Sequence, residues 1–196
     1  PLFFDYYGFP DEAYRLTWPA PGAPSLAARV RSLLESAGLP SAESTDRGFD
    51  HGTFVPLKVA WPGAEVPCTQ LSLVQGLDPA LHLQIGRALA PLRDEGVLIV
   101  GSGMSYHNMR GFGQPSAVAT SEQFHAWLHQ VVARGPTERD QGLARWAEGP
   151  SARACHPREE HLLPLMVAAG AGGADLGRVT YTDRLLGVQV SAVQFG

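Results

Sequence analysis

The 196-residue chain is long enough for one domain with a sizeable core and no disulfide staples. Its 44% hydrophobic and 17% charged residues describe an ordinary globular protein, and a net charge of -4 argues against a basic nucleic-acid-binding surface. Cys68 and Cys155 make no framework and no CxxC pair, no apolar run is long enough to span a bilayer, and no basic-then-apolar leader opens the chain, so a cytoplasmic setting is the expectation.

Residues 1–24 include PDEAYRLTWPAPGAP and read as extended and turn-rich, with many of the 16 prolines. Ser25 is the expected cap of a helix over SLAARVRSLLESAG, where Leu26, Val30, Leu33 and Leu34 recur at helical spacing and Gly38 is the stop. In DRGFDHGTFVPL (46–57), Asp50-His51-Gly52 allows two readings. One is an Asx-type turn closed by Gly52; the other is a histidine whose tautomer is set by Asp50 or a backbone carbonyl. VPCTQLSL (66–73) reads as a strand, and Asp78-Pro79 opens a helix that runs to Asp94-Glu95 and ends at Gly96.

VLIVG (97–101) is a short apolar, β-branched run of the kind buried on both faces of a sheet. It leads into GSGMSYHN (101–108), where Gly101 and Gly103 permit tight backbone geometry. Sites in α/β sheets gather at the carboxyl ends of strands, so His107 is either catalytic or a surface histidine on a turn. Helices follow near 121–134 and 138–148. Within the first, HAWLH (125–129) spaces two histidines at i, i+4 but lacks the glutamate of HExxH, and reads as a solvated helix face, as does His82.

HPREEHLLPL (156–165) sets two imidazoles and two carboxylates before an apolar run. A helix from about 157 to 170 would put Pro157 at its first position and Glu159 and Glu160 at the positive end of its dipole. That leaves His161, beside Leu162, Leu163 and Leu165, as a satisfied core histidine or a metal ligand. GVQVSAVQF closes the chain as a strand. Strands separated by helices predict an α/β fold, a central mixed sheet flanked by helices, in one domain over 1–196.

In order, the words RGFDHGTFVPL, LAPLRDEGVLIVGSGMSYHNMR and HPREEHLLPLMVAAGA, with DYYGFPDEAYRLTWPAPGAPSLAARV ahead of them, resemble the class III extradiol ring-cleavage dioxygenases. The branch is the DOPA 4,5-dioxygenase type of the LigB superfamily. The likeness covers essentially the whole chain, and the word around His107 is its most specific part. It implies opening of an aromatic ring beside a catechol, using one non-haem Fe(II) and O2. Neutral imidazole and oxygen ligands on one face of such a metal leave positions for both catecholate oxygens and dioxygen.

The resemblance implies that His161 is a metal ligand, with Glu160 the less favoured candidate for the same position. His107 and His51 are implied as acid–base residues, one taking a catechol proton and the other assisting O–O cleavage, although a histidine in DHG also reads as a ligand. The family has two further metal-binding histidines ahead of its DYYGFP-like word, whereas no histidine precedes His51 here. Together with the PLFFDYYGFP opening, this predicts a domain lacking its N-terminal part. One ligand alone cannot hold a catalytic Fe(II), and without the upstream histidines no cofactor is expected. The rival readings are a binding module that kept the fold, and a zinc-dependent hydrolase on the same ligands, since Zn(II) accepts such sites. Neither a Gly-x-Ser-x-Gly elbow nor HExxH supports hydrolysis on other grounds. Expected partners are a small catecholic substrate and O2, with no nucleic acid and no membrane.

Overall fold

Proline sets where most of the helices begin. Helices α1 (Pro24–Ser36), α3 (Pro79–Leu89), α4 (Pro91–Asp94), α5 (Pro115–Val132) and α6 (Pro136–Ala144) all carry proline in the first turn. There its fixed φ is already helical and its missing N–H leaves nothing unpaired. The remaining elements are α2 (His51–Ala60), α7 (Ala152–Cys155), α8 (Leu163–Ala171), β1 (Gly177–Leu185) and β2 (Val188–Phe195). The computed structural model describes residues 2–196 and divides into two units, one ending at Ser72 and one running Leu73–Gly196.

In the first unit the N-terminal stretch is extended, as predicted, and α1 stops ahead of Gly38, which takes a positive φ of 73°. Two isolated parallel bridges, Leu2 with Phe49 and Gly22 with Cys68, hold the extended runs. VPCTQLSL is therefore no strand: around Cys68 it exchanges a bond pair with Pro21 and Ala23 (2.9 and 3.0 Å) and forms no ladder. Helix α2 replaces the expected turn at Asp50-His51-Gly52. It forms despite an internal Pro56 because it drives Phe54, fully buried, into a core with Trp18 and Ala64. Burial of one large aromatic outweighs the local breaker.

In the second unit, Asp78 caps α3 by accepting from the Ala80 N–H at 2.8 Å. The helix expected to continue to Asp94-Glu95 breaks at Pro91, whose ring cannot follow a helical turn without a kink, and α4 restarts there. Helices α3 and α8 cross where Gly86 meets Gly170; a Cβ on either would run into backbone carbonyls of the other helix. The core gathers Leu83, Phe124, Leu128, Val132, Leu143, Trp146, Leu162, Leu163 and Met166. Hydrophobic burial of this breadth is the main term holding the unit.

The fold class is α/β, as expected, but the sheet is not the expected central one. Among the described residues it is a two-stranded antiparallel hairpin, β1 with β2, in register from Gly177–Phe195 to Leu185–Val188 with an irregularity at Val179/Tyr181. VLIVG runs on past α4 without a strand partner, leaving Leu98 70% and Val100 52% exposed. A strand exists only where a neighbour accepts its ladder bonds, and none of the described residues pairs with this run as a strand. Two further boundaries shift. Helix α5 begins at Pro115 rather than near 121, and α8 begins at Leu163 rather than 157, with Pro164 at its start. Residues 157–162 are bends and turns, so Glu159 and Glu160 are not in a helix's first turn. No helix among the described residues is long and apolar enough to cross a membrane.

Candidate active site

The GSGMSYHN loop is zipped along residues 154–161 by four hydrogen bonds. Met104 N–H donates to His161 O (2.8 Å), and His107 N–H to Cys155 O (2.9 Å). Asn108 Nδ2 donates to Ala154 O (2.8 Å), and His156 Nε2 donates to Ser105 O (3.0 Å). The glycines matter here for closeness. A Cβ at Gly103 would collide with the His161 carbonyl, and one at Gly101 would sit 2.5 Å from that of Pro164. Nothing larger lets the two segments touch.

That closeness stacks the imidazoles of His107 and His161, ring centroids 3.3 Å apart and planes 15° off parallel. Glu160 completes the group: one donor atom from each of His107, Glu160 and His161 lies within 4.8 Å of the others, and all three side chains are half-buried. Glu160 Oε1 stands 3.7 Å from His161 Nδ1, while its Oε2 lies 3.4 Å from Arg158 Nε. Two imidazoles and a carboxylate at this spacing are a donor set suited to a divalent first-row metal.

Behind the cluster, His156 is fully buried against Phe124 and Trp146. Burial, together with the nearby His107, His125 and His161, pushes its pKa down to about 4, the bond to the Ser105 carbonyl opposing them. It is therefore neutral near pH 7, and the proton it holds is the one on Nε2. Cys155, also buried, has its thiol pushed up to about 12 by desolvation.

His51 lies in the first unit, at the start of α2. Its Nδ1 is 2.7 Å from Asp5 Oδ1, which also accepts the His51 backbone N–H at 3.1 Å. A carboxylate only accepts, so Nδ1 carries the proton. The sequence suggested Asp50 or a carbonyl for this task. Asp50 instead takes bonds from Gln70 Nε2 (2.7 Å) and Arg47 (3.3 Å). Burial alone would raise the Asp5 pKa, but the two bonds from His51 outweigh it and hold the carboxyl below its usual range.

The sequence matches the family described as the catalytic LigB subunit of aromatic ring-opening dioxygenase over residues 1–193. The chain belongs to the LigB family. It is 38% identical over 211 residues to the dioxygenase tasH of Hapsidospora irregularis, covering 100% of this chain and 64% of that protein. It is 39% identical over 173 residues to the 4,5-DOPA dioxygenase extradiol of Beta vulgaris, covering 87% of this chain and 64% of that one. A crystal structure of an uncharacterized Escherichia coli K12 protein superposes with a TM-score of 0.80 at 32% identity, covering 93% of this chain and 77% of that one. This LigB-family chain thus spans just under two thirds of the length of the curated relatives it matches.

The remaining histidines differ from their sequence reading. His125 is fully buried, His129 half-buried and His82 1% exposed; none belongs to a solvated face. His82 is a core residue that accepts from Val74 N–H at Nε2 (3.2 Å) and bonds Asp78 O (2.6 Å) through Nδ1. With α5 started at Pro115, Ser121, His125, Leu128 and Val132 fall on one stripe at helical spacing. That stripe is the signal that puts His125 inside.

Proposed function

We propose that this chain carries out extradiol cleavage of a small catecholic aromatic ring with O2, on a divalent non-haem metal for which Fe(II) is the working ion and Zn(II) a competent occupant. The reading rests on one observation above the others: His107, Glu160 and His161 present three donor atoms within 4.8 Å of one another in a chain of the LigB family. Its relatives named 4,5-DOPA dioxygenase extradiol point to the same substrate class.

In this reading His161 and Glu160 hold the metal. When bound, it supplies a Lewis acid at which catechol oxygens and dioxygen can meet. His107, stacked on His161, moves a proton at its imidazole nitrogen, its backbone held in place by the bond from its main-chain N–H to Cys155 O. His51 is the second acid–base residue. Asp5 keeps the proton on Nδ1, so Nε2 is the atom that takes and returns a substrate proton. The test is oxygen uptake by Fe(II)-reconstituted protein against a panel of catechols. Uptake with formation of a yellow ring-opened product supports the reading. Ester or amide turnover with Zn(II) and no oxygen uptake would favour the hydrolase instead, and catechol binding without turnover the binding module.

A further inference from the structure

The turn that carries His107 is gripped from the far side by groups with no part in the proposed chemistry. Ser105, two residues before His107, is the hub. Ser191 N–H, on β2, donates to Ser105 Oγ at 2.8 Å, and Ser105 Oγ lies 2.9 Å from His125 Nε2. His125 Nδ1 lies 2.8 Å from the Ser121 carbonyl, which can only accept, so the proton of this imidazole sits on Nδ1. Nε2 is then the acceptor, and the direction of every bond follows: Ser191 N–H to Ser105 Oγ, Ser105 O–H to His125 Nε2, His125 Nδ1–H to Ser121 O. Burial lowers the pKa of His125, which favours this neutral form. The chain has a flanking brace. His129, one turn on, bonds Ser191 Oγ at 2.9 Å, and Ser121 Oγ accepts from Gln189 N–H at 3.0 Å.

We infer that Ser105, His125 and Ser191, braced by His129, form a positioning relay that locks the His107 turn between α5 and the C-terminal hairpin, and so sets the His107 imidazole against His161 and Glu160. The backbone bonds from Met104 and His107 tie the near side of this turn to residues 155–161, and the side-chain bonds of Ser105 tie its far side. A buried hydrogen-bonded chain with every member satisfied fixes one arrangement; with one member removed, the orphaned partners favour another. The metal arm of the inference rests on the proposed function, but the placement of the turn does not.

The test has two readouts on the wild-type protein and on Ser105→Ala, His125→Ala and His125→Gln. The glutamine keeps an acceptor at the reach of Nε2 and is the rescue variant; Ser105→Ala guards against His125→Ala failing to fold. The first readout is amide hydrogen exchange of Met104 and His107 without metal. We expect about tenfold or faster exchange in both alanine variants, and near wild-type protection in His125→Gln. The second is titration with Co(II) alone, followed by its visible absorption. His107 is not one of the proposed ligands, so the alanine variants should still bind Co(II), with an altered band shape as the imidazole stacked on His161 shifts. Unchanged exchange at both amides in Ser105→Ala overturns the relay, whatever the metal does. Faster exchange in a protein whose wild type takes up no Co(II) keeps the relay and overturns the metal reading.

Discussion

His51 and His107 are both histidines offered for proton transfer, yet the two units hold them by different means. His51 depends on a single carboxylate, Asp5, on a surface where both side chains remain partly exposed. His107 and His161 sit on two backbone segments pressed together through glycines, with a buried His156 and a broad core behind them. The first arrangement chooses a tautomer; the second fixes a distance. Substitutions in the first unit should therefore alter which atom carries a proton, while those in the second should alter the metal-holding segment or the imidazole stacked on it.

The sharpest way to break that contrast is His161→Ala. It should remove metal and oxygen uptake together, as read by metal analysis of the purified protein, because the remaining donors make a weak, misshapen site. A variant that keeps stoichiometric iron would move the ligand role elsewhere. Next comes His107→Ala, expected to retain metal while turnover falls roughly 10²–10⁴-fold, the usual contribution of a positioned acid–base group. Because its donor atom also lies within 4.8 Å of those of Glu160 and His161, loss of iron in this variant would make it the third ligand.

A milder change is expected from Asp5→Asn. Metal content should stay at the wild-type level while turnover drops by about tenfold, with ¹⁵N shifts of His51 showing a mixed tautomer where the wild type shows protonated Nδ1. A wild-type His51 protonated at Nε2 would defeat the dyad. The smallest effect concerns acid stability. The Asp5 carboxyl is held below its usual range, so its contribution is present above its unfolded pKa of about 4 and is lost as pH falls through the lower folded value. Asp5→Asn should therefore narrow its stability deficit against wild type as the pH drops below about 4, in denaturant titrations at a series of pH values.

Much of the second unit's site was legible. The glycine pair after VLIVG and the ionisable cluster of HPREEH were singled out by residue type, with a turn and a capped helix as open alternatives, and the roles of His107 and His161 came from the resemblance. The partner of His51 was not, because Asp5 is 46 positions away and only the folded first unit brings it near. HAWLH was misjudged although Ser121, His125, Leu128 and Val132 share one stripe of the expected helix: the i, i+4 histidine pair was weighed without the apolar residues beside it. VLIVG has the composition of an interior strand, yet no strand forms there. What makes a segment a strand is its neighbour, and no period within the segment specifies one.

Cys155 carries a consequence for durability. Its sulfur lies immediately before His156 and 3.5 Å from the Thr120 carbonyl, in a pocket that keeps the thiol protonated to about pH 12. Peroxide and other by-products of oxygen chemistry attack thiolates far faster than thiols, and the first product, a sulfenic acid, is bulkier and polar. A thiolate at this spot would be oxidised beside the segment that holds His107, prising it open from behind. Sealed in its apolar wall, the cysteine stays a thiol, and under the proposed oxygen chemistry the two segments would keep their support.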